Sequence, residues 1–276
     1  MKEYAVQFGE RNHLVGNVTI PLDRTRRTDG QGLILINAGI VHRIGPHRIN
    51  VRLARHAANL GVPCIRFDLS GRGDSAPGQR QMDYRQQSVG DIRAALETLE
   101  SIANTRRYSI FGICSGADDA YAAALAEPRI AALALFDPYI YPTLRWRVRI
   151  HISKLRKFGL MGALVRLKTI RRVQKSYEDS VLENYGRQVP LLAEYAAGLA
   201  ELATRGVRLH LIYSGSSVDQ ADYYTQRRKL LTNHGLDQRI ESEFLADVDH
   251  VITSIAAQQR VLSRLETWLG TNKPVA

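Results

Sequence analysis

The chain has 276 residues, 45% of them hydrophobic, and a formal net charge of +11, which suits one large α/β domain or one such domain carrying an insertion. No run of about 18 apolar residues is present, which excludes a membrane-spanning helix. Met1-Lys2-Glu3-Tyr4 has no apolar stretch of the signal-peptide kind, so the expectation is a soluble cytoplasmic protein whose two cysteines, Cys64 and Cys114, stay as thiols.

Tyr4 to Phe8 and His13 to Ile20 alternate apolar and polar residues around Gly9-Glu10-Arg11-Asn12, which predicts an antiparallel hairpin. A strand and helix alternation follows. Strands are expected at Leu33–Ile36, Pro63–Phe67, Tyr108–Phe111, Ala131–Phe136, Val207–Tyr213 and Arg239–Phe244. Helices are expected at His47–Leu60, Tyr84–Ala103, Ala117–Ala126, Ala221–His234 and Ile252–Leu269. Apolar strands separated by amphipathic helices predict a mostly parallel eight-stranded sheet covered on both faces. The alternation is interrupted from residue 139 to residue 199, where helical patterns occur without a convincing strand. The expected organisation is a core formed by 1–138 and 200–276, with 139–199 as a helical cap over the C-terminal edge of the sheet, where such sheets bind ligands.

The positive charge is concentrated in that insertion. Eleven Lys or Arg residues lie between Arg145 and Lys175, and no Asp or Glu lies between Asp137 and Glu178, so this segment carries the whole excess. Three readings of it stand side by side: a solvated helical face, a dock for an acidic acyl carrier protein, or a surface for an anionic membrane. Nucleic acid is not expected, because no recognition motif accompanies the charge.

The chemistry is concentrated at Phe111-Gly112-Ile113-Cys114-Ser115-Gly116-Ala117. Glycines two residues either side of Cys114 frame a nucleophile elbow, the sharp strand-to-helix turn that presents an attacking side chain. A short apolar strand precedes it and an alanine-rich helix follows, as the motif requires. In that frame the nucleophile is the thiol of Cys114. Its base is expected to be His250, which follows the last strand and precedes the last helix. The orienting acid is expected at Asp219 in the loop after the Leu209–Tyr213 strand, with Asp222 as the alternative; Asp219 could also cap the next helix. The oxyanion hole is expected from the N–H of Ser115 and of Gly39 or Ile40, in the loop Asn37 to Gly45. From that loop His42 and Arg43 are candidates for substrate contact or for structural hydrogen bonding. Asp68-Leu69-Ser70-Gly71-Arg72-Gly73-Asp74-Ser75 reads as a tight loop that braces the site.

With these residues in place, the chain resembles the α/β-hydrolases of the serine aminopeptidase-like group, and within them the exosortase A system-associated hydrolases with a cysteine elbow. Three stretches carry the resemblance: Asn37-Ala38-Gly39 with His42 to Pro46, Arg66 to Gly71 with Gly73-Asp74-Ser75, and Gly112 to Asp118. It implies an α/β-hydrolase fold. The thiol implies cleavage of an acyl ester or thioester through an acyl-thioester enzyme, or passage of the acyl group from a carrier thioester to an amine, alcohol or thiol. A non-catalytic binding module on the same fold is the reading from a different class. No cofactor is expected, since no Gly-x-Gly-x-x-Gly follows the first parallel strand, and no metal is expected, since no ligand spacing suits zinc.

Overall fold

The computed structural model describes residues 1–22, 29–78, 82–141, 189–219 and 222–270, with Val218 and Asp219 described in their backbone only. Among these residues lie eight strands: β1 (Lys2–Phe8), β2 (Leu14–Ile20), β3 (Gln31–Ile36), β4 (Cys64–Phe67), β5 (Arg107–Ile113), β6 (Ile130–Phe136), β7 (Arg208–Ser214) and β8 (Ile240–Leu245). The helices are α1 (Ile49–Asn59), α2 (Tyr84–Ala103), α3 (Ser115–Ala126), α4 (Leu192–Thr204), α5 (Tyr223–Leu230) and α6 (Ile255–Gly270). All eight strands join one sheet in the order β1-β2-β4-β3-β5-β6-β7-β8. β1 and β2 pair antiparallel, β2 meets β4 antiparallel, and every pairing from β4 to β8 is parallel.

Side-chain alternation divides the core into two layers. Ile34, Ile36, Ile110, Leu133, Leu135, Leu209 and Leu211 face one way, toward α2, α3 and α4. Leu33, Leu35, Phe111, Ile113, Ala134, Phe136 and Ile212 face the other, toward α1 and α6. Each fully buried Leu, Ile or Phe contributes about 1.5–3 kcal/mol of transfer free energy, so both faces need cover and the strands read as nearly continuous apolar runs. Local signals set the helix ends. Asp83 caps α2 by accepting from the Gln86 N–H, and Asn104 ends it in the left-handed region at φ 48°, as C-terminal caps commonly do.

The chain leaves β3 toward β4 on one side and returns to β5 on the other, so the strand order reverses between β3 and β5. Ligands bind outside the carboxyl ends of strands at such a switch point. Strand register brings five loops together there: Ile36 pairs with Gly112, Ile113 with Phe136, Phe136 with Ile212, and Ser214 with Leu245.

The basic stretch from Arg145 to Lys175 and most of the insertion expected over 139–199 lie outside the described residues. The last part of that segment is described, and it belongs to α4, which runs past residue 199 to Thr204. No helix among the described residues is long and apolar enough to cross a membrane.

Candidate active site

Cys114 ends β5 and opens α3 with φ 54° and ψ −120°. A non-glycine residue in that region stores about 1–3 kcal/mol of strain and persists only where its surroundings hold it. Both flanking glycines do so by close approach. A Cβ on Gly112 would sit 2.4 Å from the Gly116 carbonyl oxygen, and one on Gly116 would sit 2.6 Å from the Asn37 carbonyl oxygen. The Cys114 N–H donates to the Phe136 carbonyl at 2.8 Å, and the Cys114 carbonyl accepts from Ala117 N–H at 2.9 Å. The turn is therefore fastened to the neighbouring strand and to its own helix. The thiol stands at the N-terminus of α3, where the helix dipole favours a thiolate. Cys64 differs: it is fully buried in β4, and burial pushes its thiol above the ordinary range.

His250 follows β8 and is hydrogen-bonded to Cys114. Its Nδ1 lies 2.7 Å from Oδ2 of Asp137, and its backbone N–H donates to Ser216 Oγ at 3.0 Å. An anionic acceptor on Nδ1 keeps the proton there and leaves Nε2 for the thiol. The Asp137 bond, then the Cys114 bond, push the imidazole up to about 10 against the opposing effect of burial. His250 is thus held as an imidazolium at neutral pH.

The carboxylate that engages His250 is Asp137, which differs from the sequence-based assignment to Asp219, whose side chain lies outside the described residues. Asp137 follows β6 directly, is 2% exposed and takes a positive φ of 46°. Ser214, at the end of β7, donates to it twice, from its N–H to Oδ1 at 2.7 Å and from its hydroxyl to Oδ2 at 2.6 Å. β7 therefore supplies the brace for the acid, and the following turn, Gly215–Asp219, supplies Ser216 to the His250 backbone. Asp222 is occupied as the N-cap of α5, accepting from Thr225 N–H at 2.8 Å. The signal missed in the sequence was the Asp at the very end of an apolar strand, Leu135-Phe136-Asp137-Pro138.

In the loop after β3 the donors separate. The Gly39 N–H is spent on Ser115 Oγ at 2.7 Å, so of the two expected donors Gly39 is engaged within the protein. Ser115 stands at the first position of α3, where backbone N–H groups have no partner inside the helix.

Arg43 turns away from a substrate role. Its guanidinium contacts Asp68 at 2.5 Å and Asp74 at 2.7 Å, its backbone N–H donates to Asp68 at 2.5 Å, and its side chain is 11% exposed. His42 lies in the same cluster, 3.3 Å from Asp74 and 2.7 Å from Arg43 Nη1. Of the two readings held for these residues, the structural one describes Arg43, because the buried Asp68 carboxylate requires a cation. His42, Asp68 and Asp74 also have ligand atoms within 4.8 Å of one another. The position a metal would take is filled by the Arg43 guanidinium.

The bracing loop closes as its spacing suggests. Ser75 Oγ donates to the Asp68 carbonyl at 2.6 Å, Ser70 donates twice to Asp91, and a Cβ on Gly73, at φ +50°, would collide with the Asp68 carboxylate.

No protein-family model matches the chain and no curated protein matches it in sequence. Solved structures do match in fold. The esterase Pf2001 of Pyrococcus furiosus superposes with a TM-score of 0.59 at 16% identity, covering 98% of this chain and 91% of that one. XC6422 of Xanthomonas campestris, described as an α/β serine hydrolase without a lid, gives 0.56 at 15% identity over 99% and 96%. An α/β serine hydrolase homologue from Coxiella burnetii gives 0.59 at 14% identity over 98% and 97%. The strand order, the elbow after β5 and these superpositions together show that the chain has the α/β-hydrolase fold.

Proposed function

We propose that this protein is a hydrolase that cleaves an acyl ester or thioester through Cys114, His250 and Asp137. The observation that carries the reading is the relay itself: a cysteine sulfur on a strained elbow, hydrogen-bonded to a histidine that a buried carboxylate orients. A thiol so placed is a nucleophile in the presence of its base. The esterase Pf2001, with the same fold, supports an ester-type substrate.

The reaction then runs in two halves. The Cys114 thiolate adds to the carbonyl carbon while the carbonyl π pair moves onto oxygen. That oxyanion is received by the N–H groups of Ser115 and Ile40, worth about 10²–10³ in rate per donor in comparable sites. The pair returns, the bond to the leaving alkoxide or thiolate breaks, and the leaving group takes the Nε2 proton of His250. The neutral imidazole next removes a proton from water, which attacks the acyl thioester. The acid departs, and thiolate and imidazolium are restored. Asp137 keeps its proton-free state and holds the ring throughout.

The test is intact-protein mass spectrometry of wild type and Cys114→Ala with a panel of acyl thioesters and activated esters. The proposal expects an acyl adduct on wild type alone that water discharges. Labelling of Cys114→Ala, or no adduct across the panel, overturns it. Discharge faster with an added amine, alcohol or thiol than with water redirects the function to acyl transfer.

A further inference from the structure

Arg72 lies in the loop after β4, far along the chain from the elbow, yet its guanidinium Nη1 donates to the carbonyl of Gly39 in the loop after β3. Its position is set independently of that bond. The guanidinium carbon sits 4.8 Å from the ring centroid of Tyr84, a cation–π geometry. Tyr84 in turn donates its hydroxyl to the buried Asp119 of α3 at 2.6 Å. The backbone of Arg72 is fixed as well, donating to Leu69 and accepting from Ser75.

The Gly39 carbonyl belongs to the same peptide unit as the Ile40 N–H. All peptide bonds in the described residues are trans, so in this planar unit the two groups point in opposite directions. Fixing the carbonyl on one side therefore fixes the direction of the N–H on the other. A cation on the carbonyl oxygen also draws electrons from the amide and strengthens its N–H as a donor. The preceding peptide is pinned too, because Gly39 N–H donates to Ser115 Oγ. Gly39 itself, at φ +52° with open space around its missing Cβ, has no side chain to hold the loop. Two side chains, one on each flank of Gly39, do that instead.

We infer that Arg72 is a positioning residue of the oxyanion hole: by holding and polarising the Gly39 carbonyl it aims the Ile40 N–H at the developing oxyanion, while Ser115 Oγ anchors the adjoining amide. This rests on the hydrolase function through Cys114 proposed above. Arg72 touches no reacting atom in this role, so its effect is confined to steps that build negative charge on a carbonyl oxygen.

The experiment compares two reactions at the same sulfur. Acylation by p-nitrophenyl acetate and by an acetyl thioester passes through an oxyanion. Alkylation by iodoacetamide displaces iodide at a saturated carbon and forms none. Both rates are read by intact mass on wild type, Arg72→Met, Arg72→Lys and Ser115→Ala. Arg72→Met is expected to slow acylation about 10- to 100-fold, a share of what losing one oxyanion donor costs, and to leave alkylation within about twofold. Arg72→Lys recovers part of the acylation rate, and Ser115→Ala, which keeps the test open if Arg72→Met folds poorly, slows acylation in the same selective way. Unchanged acylation in these variants, or acylation and alkylation falling in equal proportion, overturns the inference. A wild type that is alkylated but never acylated overturns the hydrolase function, and the role of Arg72 with it.

Discussion

Asp137 and His250 stand 113 residues apart in the chain, and their side chains meet at 2.7 Å between Oδ2 and Nδ1. The contact is possible because β6 lies next to β5 in the sheet and the Ile113–Phe136 register places Asp137 one step beyond Phe136, beside the elbow. It makes the carboxylate after β6, rather than one after β7, the residue that sets the charge and orientation of the imidazole.

Asp137→Asn is expected to slow acylation of Cys114 by about 100-fold or more, because an amide fails to hold the imidazolium and can favour the wrong tautomer. Asp219→Asn is expected to leave the rate within about twofold. Stopped-flow acylation of both variants separates them, and a large loss in Asp219→Asn with a small one in Asp137→Asn reverses the assignment.

The raised value of His250 has a sign that stability measurements read. The folded protein holds the imidazolium proton up to about pH 10, whereas the unfolded chain releases it near the ordinary imidazole value of 6.5. The stabilisation is fully present below about 6.5 and is lost as pH rises toward 10. Denaturant titrations between pH 6 and 9.5 should show stability falling with pH for wild type and a flatter profile for His250→Gln. By NMR, the His250 ring should titrate at lower pH in Cys114→Ala, and lower again in Asp137→Asn, since the Asp137 bond is the largest cause.

Gly116→Ala would force a Cβ against the Asn37 carbonyl oxygen at 2.6 Å, and backbone on both sides limits any give. The expected cost is about 2–4 kcal/mol, in the range of severe overpacking. Thermal denaturation measures it, and an unchanged Tm would show that the elbow and the loop after β3 do not press on one another. Acylation should suffer further, because the oxyanion loop is what yields.

Arg43→Met is expected to destabilise the fold by about 3 kcal/mol, the lower part of the cost of stripping the partner from a buried charge. Asp68 keeps its bonds from the backbone amides of Arg43 and Asp74 but loses its only guanidinium contact among the described residues. Added divalent metal should leave the wild-type Tm where it is. A metal-dependent rise would mean that the His42, Asp68 and Asp74 cluster takes an ion despite the guanidinium.

Much of this molecule was legible before its structure. The hairpin, the alternation of strands and helices, and the elbow around Cys114 are local in origin. Period-2 and helical patterning, two glycines at fixed spacing and an alanine-rich helix carry that information within short windows. His250 was legible for a related reason, since a histidine between the last strand and last helix marks one loop of a regular alternation. The brace of Asp68 to Ser75 was readable from its glycines and its short polar side chains.

The acid was not legible, because several loops end in a carboxylate and only lateral strand order decides which of them reaches the imidazole. Ser214 shows the difficulty: its place at the end of β7 becomes a clamp on Asp137 only once β6 and β7 lie side by side in register. The division of labour in the loop after β3 has the same origin. Gly39 and Ile40 are adjacent in sequence and equally suited to donate, and only the fold brings Ser115 of α3 and Arg72 of the loop after β4 onto the N–H and the carbonyl of Gly39. Local patterning determined the elements and the place of Cys114 at the elbow, because those depend on contacts within a few residues. The carboxylate that meets His250, the partners of Gly39 and the contacts of Arg43 were decided by tertiary structure, because each depends on which charged and polar groups the sheet brings within about 3 Å of one another.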